Sequence, residues 1–287
     1  MSLLDPGLAR QLEQLELVVR RLNSSRTQGE KRSKRRGAGT DFADYRDYVQ
    51  GDDPRFIDWN VYGRLDRLFL KLFHEEEDLR VTIYLDTSRS MGFGDPEKLL
   101  YAKRAAVCVA YVALCAMDRV VIEGGPSPMR PARGKRQLRT VIDYLEPLEA
   151  KGGTDLAEGL RGMMMRSRAA GLKVVVSDFL DKRGYEGALK WLLRPEDRAV
   201  VVQVLSPQEI HPDIVGDLAL QDSEDGELTE VSITAGLLKQ YRQALGTLVG
   251  GLRAWCRTRG VAYVFADTSV PVEQAVVSAL RASGVMR

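Results

Sequence analysis

From Val81 onward the chain alternates apolar, β-branched runs with helical patterns, and this alternation restricts the fold more than any other feature of the sequence. Strands are predicted at Val81 to Asp86, Val120 to Glu123, Lys173 to Asp178, Ala199 to Leu205 and Val261 to Ala266. Helices fit Glu97 to Met117, Lys135 to Leu145, Asp155 to Arg168, Tyr185 to Leu193, Leu237 to Arg259 and Val272 to Ala282, with a polar hairpin from Leu218 to Ile233 turning at Asp225-Gly226. The fold class expected is α/β: a doubly wound, mostly parallel sheet with helices on both faces and right-handed crossovers, preceded by a small β-containing segment.

The first of these strands runs straight into Asp86, Ser88 and Ser90, in the stretch VTIYLDTSRSM. A D-x-S-x-S loop at a strand's carboxyl end turns one carboxylate and two hydroxyls toward a single point, where open α/β sheets bind ligands. Hard oxygen donors of this kind suit magnesium or manganese. Ser and Asp also serve as ordinary turn and cap residues, so two later segments add weight. Gly152-Gly153-Thr154-Asp155 offers a Thr hydroxyl on a glycine-permitted turn, and KVVVSD brings a second strand to a carboxylate at Asp178. All three loops are expected at the carboxyl edge of one sheet. Asp155 itself is suited to the first turn of its own helix.

Asp86, Ser88, Ser90, Thr154 and Asp178 are similar to the ligand set of a metal-ion-dependent adhesion site, and this part of the chain resembles a von Willebrand factor A domain. Residues 39–94 resemble the signature of the domain-of-unknown-function 58 family: Arg46, Tyr48, Gly51, Asp52, Asp53, Arg55, Ile57, Asp58 and Trp59, then L-D-x-S-x-S-M, with Lys98 opening the next helix. The resemblance extends over roughly residues 30–270. It implies that Ser88, Ser90 and Thr154 supply hydroxyls to magnesium (or manganese), while Asp86 and Asp178 act directly or through water. Neutral hydroxyls would leave the ion electrophilic enough to accept a carboxylate from a protein partner. Arg89, Met91, Phe93 and Phe179 are expected to form the rim of that contact. Proteins resembling this family are commonly encoded beside MoxR-type AAA+ ATPases, which implies an adaptor that couples such an ATPase to assembly, maturation or remodelling of a client. The family commonly carries a hydrophobic N-terminal anchor, so the resemblance is to a short soluble form.

The expected domain boundaries are 1–36 for an N-terminal helix and basic linker, 37–79 for a β-rich signature segment packing on the main domain, and 80–287 for the A-like domain. In the first segment Leu8, Leu12, Leu15, Val19 and Leu22 share one helical face between Pro6 and Leu22. Arg26 to Arg36 carries six basic residues against Glu30 and reads as a solvated linker. In the second, the carboxylates and guanidinium groups suit fold-fixing ion pairs, with a turn at Gly51 to Pro54 and a strand from Leu68 to Phe73. A net charge of +2 argues against bulk attraction to nucleic acid or anionic membrane. The longest apolar run, Ala105 to Met117, is too short to span a bilayer, and the start lacks the order of a secretory signal. Cys108, Cys115 and Cys256 lack metal spacing and suit small core positions in a reducing, cytoplasmic setting.

Gly124 to Lys135 lacks the G-x-x-x-x-G-K-[ST] pattern of a phosphate loop. A magnesium-dependent phosphatase or hydrolase using Asp86 as nucleophile is the alternative from another class, but Ser88 stands where such an enzyme needs a second carboxylate. His74 and His211, the only histidines, follow no predicted strand of the sheet. The sequence therefore predicts a metal-dependent protein-binding module and no enzyme, with a metal-free scaffold as a further alternative.

Overall fold

A computed structural model of the chain describes residues 3–15, 17, 42–73, 79–151, 155–214, 216–221 and 228–287. The chain divides into two units, Asn23–Asp78 and Met1–Leu22 with Leu79–Arg287. The N-terminal helical pattern forms a shorter helix than predicted, α1 (Pro6–Leu12), capped by the Asp5 carboxylate. Leu12 is fully buried in the core of the larger unit, and Leu17 lies beyond the helix, bridging to Met286. The apolar face of α1 thus joins the larger unit, whereas the predicted boundary set it apart with the basic linker. Arg26 to Arg36 lies outside the described residues, as does His74.

In the smaller unit, β1 (Phe42–Asp47) pairs antiparallel with β2 (Phe69–Phe73), and α2 (Trp59–Leu65) lies between them in sequence. The carboxylates of the signature hold this unit's turns. Asp52 pairs with Arg46 at 2.9 Å and Asp53 with Arg55 at 2.8 Å. Asp58 caps α2 by accepting from the amides of Asn60 and Val61, and also accepts from the Tyr45 hydroxyl at 2.8 Å and the Lys71 ammonium at 3.1 Å.

The larger unit continues through β3 (Arg80–Leu85), α3 (Lys98–Cys115), β4 (Arg119–Glu123), β5 (Ala132–Arg133), α4 (Leu138–Leu145), α5 (Leu156–Arg166), β6 (Gly171–Ser177), α6 (Glu186–Leu189), β7 (Arg198–Leu205), α7 (Pro207–Ile210), β8 (Gly216–Gln221), β9 (Leu228–Ile233), α8 (Ala235–Thr258), β10 (Ala262–Asp267) and α9 (Ser278–Ala282). Six strands form one sheet in the order β10-β7-β6-β3-β4-β5, parallel except for β5, and β8 with β9 makes the hairpin. The predicted turn at Asp225-Gly226 lies outside the described residues.

Alternate residues of each strand enter two cores. Ile83, Val174 and Val202 pack with α1, α3 and α9 on one face. Tyr84, Val175 and Val201 pack with α5, α6 and α8 on the other. Helices therefore cover both faces, as the sequence predicts. Gly171 opens β6 where a Cβ would stand 2.1 Å from the Arg80 carbonyl oxygen, so its lack of a side chain permits the close approach of β3. Cys108 and Cys256 are buried, one in each core, and burial pushes both thiols up to about 12. No helix among the described residues is long and apolar enough to cross a membrane.

From β3 the chain crosses to β4 on one side and returns later to β6 on the other. The topological switch point therefore lies between β3 and β6, beyond whose carboxyl ends the crevice opens.

The Tyr45 hydroxyl, ahead of the Lys71 ammonium and the helix amides, holds the Asp58 carboxyl well below its ordinary 3.8, at about 2. A depressed folded-state value stabilises the smaller unit above the ordinary range, and this contribution disappears as pH falls from near 4 through about 2. An NMR titration of the Asp58 carboxyl should give a midpoint near 2; a midpoint at 3.8 would remove the cap and its partners as the cause.

Candidate functional site

The ladder between β3 and β6 extends one residue past β3, because the Asp86 amide donates to the Val176 carbonyl at 2.9 Å. Asp86, Ser88, Ser177 and Asp178 are all buried. One oxygen of Asp86 accepts from the Ser88 amide at 2.9 Å and the other from the Ser177 hydroxyl at 2.6 Å. The Ser88 and Ser90 hydroxyl oxygens stand 3.1 Å apart. Asp86, Ser88, Ser90 and Asp178 line one cavity of ≈ 10 Å³, with Ser177, Phe179, Leu156 and Asp181 completing its wall. That volume holds about one water-sized occupant.

Four of the five residues expected as ligands line this cavity, and Thr154 lies outside the described residues. Asp155 is the N-cap of α5 rather than a first-turn acid, accepting from the Glu158 amide and pairing with Arg183 at 2.7 Å. The predicted rim is only partly a rim. Arg89 and Phe93 are exposed, but Met91 and Phe179 are buried, because the turns after both strands point these side chains into the cores.

Phe179 has φ 58°, a left-handed backbone uncommon for a bulky residue. The turn is held by the Phe179 amide donating to the Ser177 hydroxyl oxygen and by the Leu180 amide donating to Asp178. Gln203 donates to the Asp178 carbonyl at 3.1 Å, and Tyr263 donates to Gln203 at 2.7 Å, so β7 and β10 brace the same corner.

The two carboxylates differ in their electrostatic partners. Asp178 accepts from the fully buried Lys98 ammonium at 2.7 Å, and the same ammonium reaches Glu209 of α7 at 2.5 Å. Among the described residues, Asp86 meets only hydroxyls and an amide. Burial first, and then the charge of Asp178, push its carboxyl above the ordinary range, against the hydrogen bonds from Ser177 and Ser88. A buried carboxylate without a cationic partner costs folding free energy in its charged form.

The donor set fits a hard divalent cation. With bonds of 2.0–2.1 Å, neighbouring oxygens of an octahedral shell stand about 3 Å apart, which the Ser88 and Ser90 oxygens do at 3.1 Å. Asp86, Ser88 and Ser90 would hold the ion directly. Asp178, committed to Lys98, would act through water. Lys98, Ser177 and Glu209 are the participants that pattern alone did not assign. Ser177 adjoins Asp178, and Lys98 is the charged first residue of an otherwise largely apolar helix.

Residues 44–247 match the family described as Protein of unknown function DUF58. The chain belongs to the DUF58 family. The match runs from the smaller unit's signature through the switch-point cleft into α8. Among similar proteins, uncharacterized protein Rv1480 of Mycobacterium tuberculosis is 29% identical over 256 residues, covering 84% of this chain and 78% of that protein. Uncharacterized protein MAV169 of Mycobacterium avium is 29% identical over 120 residues, covering 41% of this chain and 69% of its own. The solved structure of conserved hypothetical protein BatB from Bacteroides thetaiotaomicron aligns over 71% of the DUF58 chain and 98% of its own length, with TM-score 0.43 and 17% identity. The pilus adhesin SpaC from Lactobacillus rhamnosus GG aligns over 74% of this chain and 32% of its own, with TM-score 0.43 and 11% identity.

A raised folded-state value means that ionised Asp86 destabilises the fold at neutral pH, a cost that declines as pH falls through that value and is gone below the ordinary 3.8. Asp86→Asn should therefore melt higher than wild type in chelator. Wild type should gain about 1.4 kcal/mol when free magnesium is roughly tenfold above its Kd, and the variant should gain nothing. Calorimetric melts with and without magnesium check both signs; a variant that still responds to the ion places the ligands elsewhere.

Proposed function

We propose that this DUF58 protein is a metal-ion-dependent protein-binding module of von Willebrand factor A type, an adaptor rather than an enzyme. The observation that supports this best is the buried Asp86 carboxylate at the switch point, facing the Ser88 and Ser90 hydroxyls with no cationic partner among the described residues. A bound magnesium or manganese ion would supply an electrophilic handle. Asp86, Ser88 and Ser90 would hold its position, on an edge fixed by the β3–β6 ladder, in a cavity of about the size of one such occupant. Phe93 and Arg89, in the segment that follows β3, are exposed and suit contact with a partner surface.

A carboxylate from a protein partner is the ligand such an ion would take. The family resemblance points to a MoxR-type AAA+ ATPase, or its client, as the bearer of that group. Hydrolysis is disfavoured by Ser88 at the place of a second carboxylate and by the position of His211, which is exposed at the end of α7 and does not line the cleft.

The test is binding between the purified chain and the MoxR-type ATPase encoded nearest to it, followed by biolayer interferometry. Binding should require millimolar magnesium, disappear in chelator, and fall at least about tenfold in folded Asp86→Asn, the loss of one charge-assisted contact. Metal-independent binding of wild type and variant alike would contradict the adhesion-site reading. Magnesium-dependent phosphomonoester hydrolysis abolished by Asp86→Asn would favour the hydrolase instead.

A further inference from the structure

We infer that Lys98 is a resident cation that sets the strength of the metal site: it withholds Asp178 from direct coordination, keeps divalent ions weakly held and leaves a coordination position for a partner's carboxylate. The inference rests on the metal-binding reading above and concerns how that same site is tuned.

Lys98 is the first residue of α3, and its side chain is fully buried. Its ammonium stands 2.7 Å from Asp178 and 2.5 Å from Glu209. Every oxygen around it has a fixed task. The second oxygen of Asp178 accepts from the Leu180 amide, and the second oxygen of Glu209 accepts from the Ser206 amide and hydroxyl. The Glu209 backbone is tied in turn by the Tyr241 hydroxyl at 2.9 Å. The loop leading to Lys98 is clamped to α7 as well. A Cβ on Gly94, at φ 100°, would stand 2.4 Å from that of Ser206, and Gln208 exchanges hydrogen bonds with both backbone groups of Asp95. The ammonium is therefore fixed one carboxylate away from the cleft that Asp86, Ser88 and Ser90 open.

Fixed charge at that distance in a poorly solvated site acts strongly on an incoming divalent ion. It repels the ion, and it engages the Asp178 oxygen that would otherwise bind metal. A lysine with a purely structural role makes the opposite prediction, because its removal would loosen β6 and α7 and weaken the metal site. The sign of the change in metal affinity separates the two.

The experiment measures Mn²⁺ binding to the full chain by the electron paramagnetic resonance signal of free Mn²⁺, for wild type, Lys98→Arg, Lys98→Gln and the double variant Lys98→Gln/Glu209→Gln. The double variant removes both members of one ion pair, so that Glu209 is not left charged and unpaired, and folding is checked by circular dichroism. Lys98→Arg should bind as wild type does. Lys98→Gln and the double variant should bind Mn²⁺ about tenfold more tightly or better. Equal or weaker binding by the folded double variant, beside measurable binding by wild type, overturns the role of Lys98 and leaves the proposed function standing. Binding by the double variant alone supports Lys98 as the suppressing charge. Absence of binding in all four proteins removes the metal site and this inference with it.

Discussion

Parallel pairing of β3 with β6 places two strand ends side by side, each continuing into a carboxylate that folding removes from water. Two such groups cannot both stay charged at a buried edge without compensation. The rest of the corner is arranged around that requirement. Ser177 and the Ser88 amide serve Asp86, Lys98 serves Asp178, and the left-handed turn at Phe179 keeps the Asp178 side chain at the edge while its own ring enters the core.

The compensation is unequal, and the inequality carries the functional reading. Asp178 has a permanent cation delivered by the first residue of α3, whereas Asp86 has only neutral donors among the described residues. The surrounding loops are tied so that neither group can swing away. Thr87 donates to the Gly124 carbonyl at 2.7 Å and accepts at its own carbonyl from the Lys151 amide at 2.9 Å. On the proposed reading, a buried carboxylate with no cationic partner among the described residues, beside two hydroxyls, would take a divalent ion.

Much of this was legible in the sequence because the strands are buried on both faces and carry runs of consecutive β-branched residues, as in AVVVQVL and KVVVSD. All five predicted parallel strands and six predicted helices appear, with ends displaced by a few residues or converted to tighter or wider turns at Lys135–Gln137, Lys190–Leu192 and Glu273–Val277. The two residues of β5 are too few to show a period, and the N-terminal helix stops at Leu12 because the chain then turns to bridge to Met286. Met91 and Phe179 were expected at the rim, since position in a loop does not reveal that a turn points a side chain inward. The pairing of Lys98 with Asp178 and Glu209 spans 80 and 111 residues of sequence, and only the folded sheet brings such groups together.

The central claim is that Asp86, Ser88 and Ser90 form the direct protein side of a metal site while Lys98 keeps Asp178 at one remove. Anomalous scattering from a crystal grown in manganese tests it most directly. The account predicts one peak in the cleft within about 2.2 Å of oxygens from Asp86, Ser88 and Ser90, with Asp178 reaching it through water and still paired to Lys98. A peak bonded directly to Asp178 with Lys98 displaced would contradict the division of charge, and a cleft without a peak at manganese concentrations that raise the melting temperature would contradict the site itself.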